Sequence, residues 1–470
     1  MSLFIVGLDN TIVNVALPSI GRELHTQVSG LQWTVDAYTL VLASLLMLAG
    51  STADRLGRKP TFQVGLIMFS LGSLLCSLAP SVILLVVFRA MQAVGGSMLN
   101  PVAMSIITNT FTDRRERAQA IGIWGAVVGL SMGLGPVVGG VLVTSVGWRS
   151  IFWINVPIGV TACILTALYV PNSKAPVARR FDPVAQLLLV VGLATVTFGI
   201  IEGPRRGWTS PEILLVFAAF VLSAVLFVAC ERRRWQPLID IRFFRSAPFS
   251  GATVAAVAAF ASLGGFLFLN TLYLQQGRGL SALQAGLDTL PMAAMTVLLA
   301  PVSGAVVGRR GARPPLVVAG AFIAASGLML TRITPTTPFA WLFVAYTFFG
   351  IGFGLVNAPI TNAAVSGMPD SQAGVAAAVA STSRQIGQTL GVAVLGALAT
   401  SALHGPLRSG IASATHPGWW VLAGCGAVVV VVGVMSTSRR AIASAERVAV
   451  LFDDGPGRSR LASPHSSRSN

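Results

Sequence analysis

The chain has 470 residues, 54% of them hydrophobic and only 10% charged, whereas a soluble domain carries about a quarter charged residues; water is therefore not its main solvent. Its formal net charge is +16, but the basic residues sit in short connections between apolar runs, which argues against a nucleic-acid surface and for loops at a membrane face. The cysteines Cys76, Cys163, Cys230 and Cys425 stand singly in apolar segments, without metal-ligand or disulfide spacing, and neither a metal nor a cofactor is expected.

A hydrocarbon core is crossed by about 20 mostly apolar residues as helix, because lipid offers the backbone no hydrogen-bond partner. Such runs are predicted near 3–20, 32–53, 61–79, 82–103, 118–143 and 150–170, then 184–202 and 212–230, then 249–272, 284–307, 315–332, 339–364, 373–400 and 418–436. The expected fold class is an all-α polytopic membrane protein with fourteen spans, six plus two plus six. With the N-terminus inside, 23 of the 32 basic residues fall on cytoplasmic connections or the C-terminal tail and 7 on outer connections, while Arg89 and Arg384 lie within spans. That asymmetry predicts two cytoplasmic termini.

Asp9 is the first polar feature, about six residues into its span and so about 9 Å below the surface. An isolated carboxylate there is costly; it is either a structural hydrogen-bonding group or one that alternates between charged and neutral forms. Asp36, just after Trp33 in the second span, is a second titratable candidate, nearer the outer interface where simple hydration would also serve. The connection from Gly50 to Pro60 follows. Its glycines permit a tight reversal, and Asp54 with Arg55, Arg58 and Lys59 forms a compact charge cluster; the plainer alternative is a basic loop that only sets orientation. Gly304 to Pro314 aligns with it without gaps, matching Gly50, Arg55, Gly57 and Pro60 to Gly304, Arg309, Gly311 and Pro314. Two related six-helix halves with a substrate path between them are therefore predicted, over 1–170 and 246–436. Residues 171–245 would be two inserted helices and linkers, and 437–470 a cytoplasmic tail, disordered from 452.

Arg89 is the single cation of the fourth span, with Gln92 one turn on. A guanidinium does not shed its proton, so it must face a cavity or a partner. Asp9 or Asp36 is the natural choice, unless Arg89 only anchors helix packing. In the fifth span Gly129, Gly133, Gly135, Gly139 and Gly140 let a neighbouring helix approach, and Pro136 removes a backbone donor. Arg384 and Gln385 in the thirteenth span and Asn357 in the twelfth are polar groups able to line a cavity. The aromatics Trp124, Phe268 and Phe353 are more readily packing than ligand contacts, and Asp288 lies near an interface, where acids are ordinary.

Gly50-Ser-Thr-Ala-Asp-Arg-Leu-Gly-Arg-Lys-Pro60 resembles the cytoplasmic signature of major facilitator transporters. Leu8-Asp-Asn-Thr-Ile-Val-Asn-Val-Ala-Leu-Pro18 resembles the first-helix motif of their fourteen-span drug/proton antiporters, the EmrB/QacA type. Gly129 to Gly140 is similar to their fifth-helix antiporter motif, and Trp148 to Pro157 and Ser383-Arg-Gln-Ile-Gly387 are similar to further family stretches. Two departures stand out. Gly308 replaces an acid in the second-half loop, and only Met1 and Ser2 precede the first span, which points to a true start upstream. With no basic n-region or cleavage site, that first span is expected to be retained.

The resemblance implies a major facilitator fold and drug export in exchange for protons. It places Arg89, with Asp9 and Asp36, in the proton-coupling machinery, and Gly50, Asp54, Arg55, Gly57 and Arg58 in a conformational gate. In the family fold that Asp meets the cytoplasmic start of the helix at 373–400. Asn14, Trp124, Asn357, Arg384 and Gln385 are the substrate-cavity candidates. The expected partners are a lipophilic small-molecule drug, protons and the bilayer of the cell (inner) membrane, with the chain acting as a monomer and without nucleic acid. Uptake, or export of an endogenous metabolite, is the alternative on the same scaffold. A polytopic enzyme or sensor is disfavoured, since the chain has neither a Walker loop nor a His-Glu-x-x-His motif.

Overall fold

The computed structural model describes residues 1–111, 113–174, 182–234, 237–366, 368, 370–403 and 407–453. Among them the regular structure is all helical. Each apolar run satisfies its own N–H and C=O groups, the arrangement that a medium without water demands. The elements are α1 (Ser2–Glu23), α2 (Val28–Leu56), α3 (Arg58–Ser77), α4 (Val82–Thr110), α5 (Arg114–Ser145), α6 (Ser150–Trp153), α7 (Asn155–Tyr169), α8 (Pro183–Arg206) and α9 (Pro211–Arg233). Then follow α10 (Ala247–Leu272), α11 (Ala282–Asp288), α12 (Leu290–Arg310), α13 (Arg313–Leu330), α14 (Phe339–Val365), α15 (Asp370–Ala402), α16 (Leu407–Ala414), α17 (His416–Met435) and α18 (Arg439–Asp453).

Twelve helices of the described residues are long and apolar enough to cross a membrane, against the fourteen expected. The chain is thus a multi-pass membrane protein, but two expected spans fall short of that measure. In α5 the described apolar stretch is only Leu130–Ser145. The helix α15 is 33 residues long but carries Arg384, Gln385 and Gln388 in its interior, which lowers its hydropathy. The run expected at 150–170 is broken at Ile154, and that at 284–307 at Thr289. Pro157 and Pro291 lie in the first turns after these breaks, where a residue without an N–H is tolerated. Residues 439–453 of the expected tail are helical; 454–470 lie outside the described residues.

Within the first half α1 packs on α5, α2 on α4, and α3 on α4 and α7; in the second, α10 packs on α15, α12 and α13 on α14, and α13 on α17. Close contact between α10 and α15 is made at glycines. A Cβ on Gly387 or Gly391 would strike the α10 backbone at Val257 or Ala261, and one on Gly264 would strike Gln388. Helix α8 lies against both α2 and α15. Trp33 Nε1 donates to Glu202 Oε1 at 3.2 Å and Gln186 Nε2 to the Ser44 carbonyl at 2.5 Å, so α8 is pinned to α2 near both of its ends. By contrast α9 rests mainly on α8 and turns Leu214, Leu215, Leu222 and Val225 outward, the surface a lipid-facing helix presents.

The halves meet on the side of the α1–α2 turn. Gln32 Nε2 of α2 donates to the Val392 and Ala393 carbonyls of α15 at 3.1 and 2.9 Å, Thr389 to Thr39 Oγ1 at 2.8 Å, and Gln275 Nε2 to the Val15 carbonyl at 2.8 Å. As residue numbers rise along α2 they fall along α15, so the two run antiparallel. On a second face α5 packs on α11 and α12.

Candidate functional site

Of the two carboxylates that sequence offers to Arg89, Asp9 meets it. Arg89 Nη1 donates to Asp9 Oδ2 at 2.5 Å, and Gln92 Nε2 and Asn155 Nδ2 donate to Asp9 Oδ1 at 2.9 and 3.0 Å. Arg89 further donates to Gln92 Oε1 at 2.9 Å and through Nε to the Thr34 carbonyl at 3.2 Å, and its guanidinium lies 4.2 Å from the centre of the Tyr38 ring. Asp9 is 0% and Arg89 1% exposed. A buried pair is tolerated only when its remaining donors and acceptors are also answered, and here α1, α2, α4 and α7 all contribute. Asn155 is anchored in turn by Ser73 Oγ at 3.1 Å, which itself donates to the Phe152 carbonyl at 2.9 Å. Asn155 lies in the Trp148–Pro157 stretch, whose resemblance was the one available signal for it; Ser73 gave none.

Of the two readings the sequence leaves for Asp36, a titratable group or a simply hydrated interfacial acid, its burial removes the second. It is 0% exposed, and neither carboxylate oxygen meets a hydrogen-bond donor. It lies on α2 between Gln32 and Thr39, the two residues that bond to α15. No cation is paired with it.

In the Gly50–Pro60 connection, Gly57 takes φ +114° and its counterpart Gly311 takes φ +77°; both reversals use the left-handed region that only glycine enters freely. Asp54 Oδ1 accepts from Arg58 Nη2 at 3.2 Å, one helical turn on. The Arg58 N–H reaches the Ser173 carbonyl at 2.9 Å, and Lys59 Nζ the Ala167 carbonyl at 2.8 Å. Gly50 faces Pro101, and Arg55 closes the last turn of α2. Pro101 and Ala167 belong to the first half, and Ser173 to the connection that follows it. At the corresponding second-half helix end, Gly304 and Gly308 border open space.

The fifth-span glycines divide between two partners. Gly135 and Gly139 leave no room for a Cβ against Thr11 and Ile12 of α1, while Gly140 abuts Ala282 and Leu283 of α11 and Gly133 faces Ala293 and Val297 of α12. The Pro136 carbonyl lies against Gly286. The motif therefore joins α1 within its own half to the second half across the seam. Trp124 and Gly129 lie outside the residues whose side chains are described.

Among the cavity candidates, Asn14 is buried, donates to the Asn10 carbonyl at 3.1 Å and leaves Oδ1 unanswered. Arg384 donates through Nη2 to Thr361 Oγ1 of α14, and Thr361 in turn to the Asn357 carbonyl at 3.1 Å. Gln385 leaves Oε1 unanswered. Of the aromatics, Phe268 is fully buried and Phe353 stacks within the second half, as packing groups do. Outside the spans, burial pushes the Asp288 carboxyl above its ordinary range, with Arg278 opposing. No cluster of metal-ligating side chains exists among the described residues.

A profile of the Major Facilitator Superfamily matches residues 1–392. The Multidrug resistance protein Stp of Mycobacterium tuberculosis is 37% identical over 408 residues, covering 87% of this chain and 76% of that protein. The Methylenomycin A resistance protein of Streptomyces coelicolor is 38% identical over 393 residues, covering 83% and 82%. A bacterial homologue of the human lysosomal transporter Spinster superposes with a TM-score of 0.64 at 18% identity, over 97% of each chain, which bears on the fold alone. With a profile spanning most of its length and relatives at this identity, the chain belongs to the Major Facilitator Superfamily of membrane transporters.

Proposed function

We propose that the chain exports lipophilic drugs in exchange for protons by alternating access. The relatives named for multidrug and methylenomycin A resistance support the substrate class. The observation that carries the coupling is Asp36, a carboxylate without a partner inside the seam that closes one side of the path. Asp9 is held by three donors and serves as a fixed part of the first half. Asp36 is the group whose proton matters: an ionised carboxylate in a dry seam is uncompensated, so a proton on Asp36 favours the closed seam. Its loss lets α2 part from α15. Drug bound on the other side of the seam favours the opposite opening, and each ligand displaces the other.

In this reading α5 and α15 also cross the bilayer, giving fourteen spans, since 32 and 33 residues of helix exceed the length a membrane needs. Both termini face the cytoplasm of the cell (inner) membrane, because the basic residues gather on that side. The Gly50–Pro60 connection is then cytoplasmic, and the described state is sealed outside and open inward. The path lies within one chain, so a monomer suffices.

The test is dye and antibiotic uptake into inverted membrane vesicles under an imposed proton gradient. Uptake should collapse with a protonophore. Uptake that persists at full rate without a gradient overturns proton exchange, and movement of substrate only in the opposite direction overturns export.

A further inference from the structure

The two halves treat the cations within their spans differently. Arg89 in the first is neutralised by Asp9. Arg384 in the second has the Thr361 hydroxyl for Nη2, leaves Nε without an acceptor, and has no acid in reach. Between Gly251 and Ser438 the sequence holds two acids, Asp288 and Asp370. Asp288 ends α11 on the sealed side, and Asp370 begins α15, about 21 Å along the helix from Arg384. Nor does Asp36 answer it. The Thr389–Thr39 bond fixes the register, Asp36 lies three residues beyond it toward the sealed end, and Arg384 five residues beyond it the other way. That separates them by about 12 Å along the seam.

Arg384 therefore stands five residues past the Thr389–Thr39 bond, on the side where, in the reading above, the path opens. Its surroundings form a site. The neighbouring Gln385 Oε1 is buried without a partner. The Arg384 guanidinium lies 6.0 Å from the Phe260 ring centre, and Phe260 meets Phe353 edge to face at 5.2 Å, two packed rings that offer the charge no acceptor oxygen. A guanidinium with unmet donors in such a place binds a planar anionic oxygen group well and repels a cation.

Resting on the reading of the chain as an exporter, we propose that Arg384 anchors the substrate, and that the substrate class is a lipophilic organic anion, an aromatic frame bearing a carboxylate or acidic enol oxygen. The structure thus assigns the second half an anion-selective site in place of one for permanently cationic dyes.

Two xanthene dyes of similar frame and opposite charge, fluorescein and rhodamine 123, test it by fluorescence anisotropy with the purified full-length protein. The wild type should bind fluorescein about tenfold or more tighter than rhodamine 123, the worth of one charge-assisted hydrogen bond. Arg384→Gln should abolish the preference by weakening fluorescein alone, while Arg384→Lys, which keeps the charge, should retain a preference for fluorescein. Tighter binding of rhodamine 123 by the wild type, unchanged fluorescein binding in Arg384→Gln, or loss of all preference in Arg384→Lys overturns the proposal. Uptake of the same dyes into inverted vesicles separates this from the exporter reading. Gradient-driven movement of rhodamine 123 that is indifferent to Arg384→Gln sinks the anion site and leaves export standing; Arg384-dependent fluorescein binding without movement sustains the site and sinks export.

Discussion

Arg89 and Asp9 are 80 positions apart in sequence and meet at 2.5 Å with both side chains buried. Removing one member leaves the other charge buried and unpaired, which costs about 3–5 kcal/mol. Arg89→Ala is therefore expected to lower the melting temperature in detergent and abolish gradient-driven efflux. Arg89→Lys should fold better but still transport poorly, since an ammonium does not reproduce the Nε bond to the Thr34 carbonyl together with the fork toward Asp9. Normal melting and efflux in Arg89→Ala would remove the pair from the mechanism.

Asp36→Asn should act in the opposite way on stability. No donor or cation is lost with this carboxylate, so the variant should melt at or above the wild-type temperature, while its efflux loses dependence on the pH gradient because an amide carries no exchangeable charge. Asp9→Asn should instead melt lower, having weakened a three-donor site. Efflux with wild-type pH dependence in Asp36→Asn, measured beside Asp9→Asn, would return the proton to Asp9.

Gly140→Val places a branched side chain against the α11 backbone at Ala282 and Leu283. Overpacking of this kind costs about 1–3 kcal/mol, and here the strain falls on a contact between halves. The expected result is a folded protein whose population moves about 5- to 150-fold away from the sealed state. Spin-label distances across the α5–α11 seam should lengthen; a distribution identical to wild type would show that the seam does not open at this contact.

Asp54 pairs with Arg58 in the described state, an i,i+4 bond worth about 0.3–0.5 kcal/mol. As a gate latch it would be released from this pair to meet the start of α15 when the cytoplasmic ends close, where a helix N-terminus adds about 0.3–2 kcal/mol for a negative charge. Asp54→Asn is expected to lower turnover and shift the population inward-open, with drug affinity in detergent nearly unchanged. Label distances between the cytoplasmic ends of α2 and α15 measure this, and an unaltered distribution would refute the latch.

The amino-acid sequence by itself determined the medium, the helical class, the internal echo at Gly57 and Gly311, and the polar residues worth watching, because lipid forces long apolar runs and penalises each charge placed within them. It gave span limits to a few residues and placed Asp9 and Arg89 on one short list, yet left Arg89 with two acids to choose from. Only the tertiary structure decided between them, since the choice depends on how α1, α4 and α7 face one another, which no local period encodes. It likewise removed simple hydration as a reading of Asp36 by burying it in the α2–α15 seam, and set Arg384 apart from both acids. The breaks at Ile154 and Thr289 and the bridging position of α8 were also hidden, because hydropathy reports how deeply a segment prefers to sit but carries no record of its neighbours.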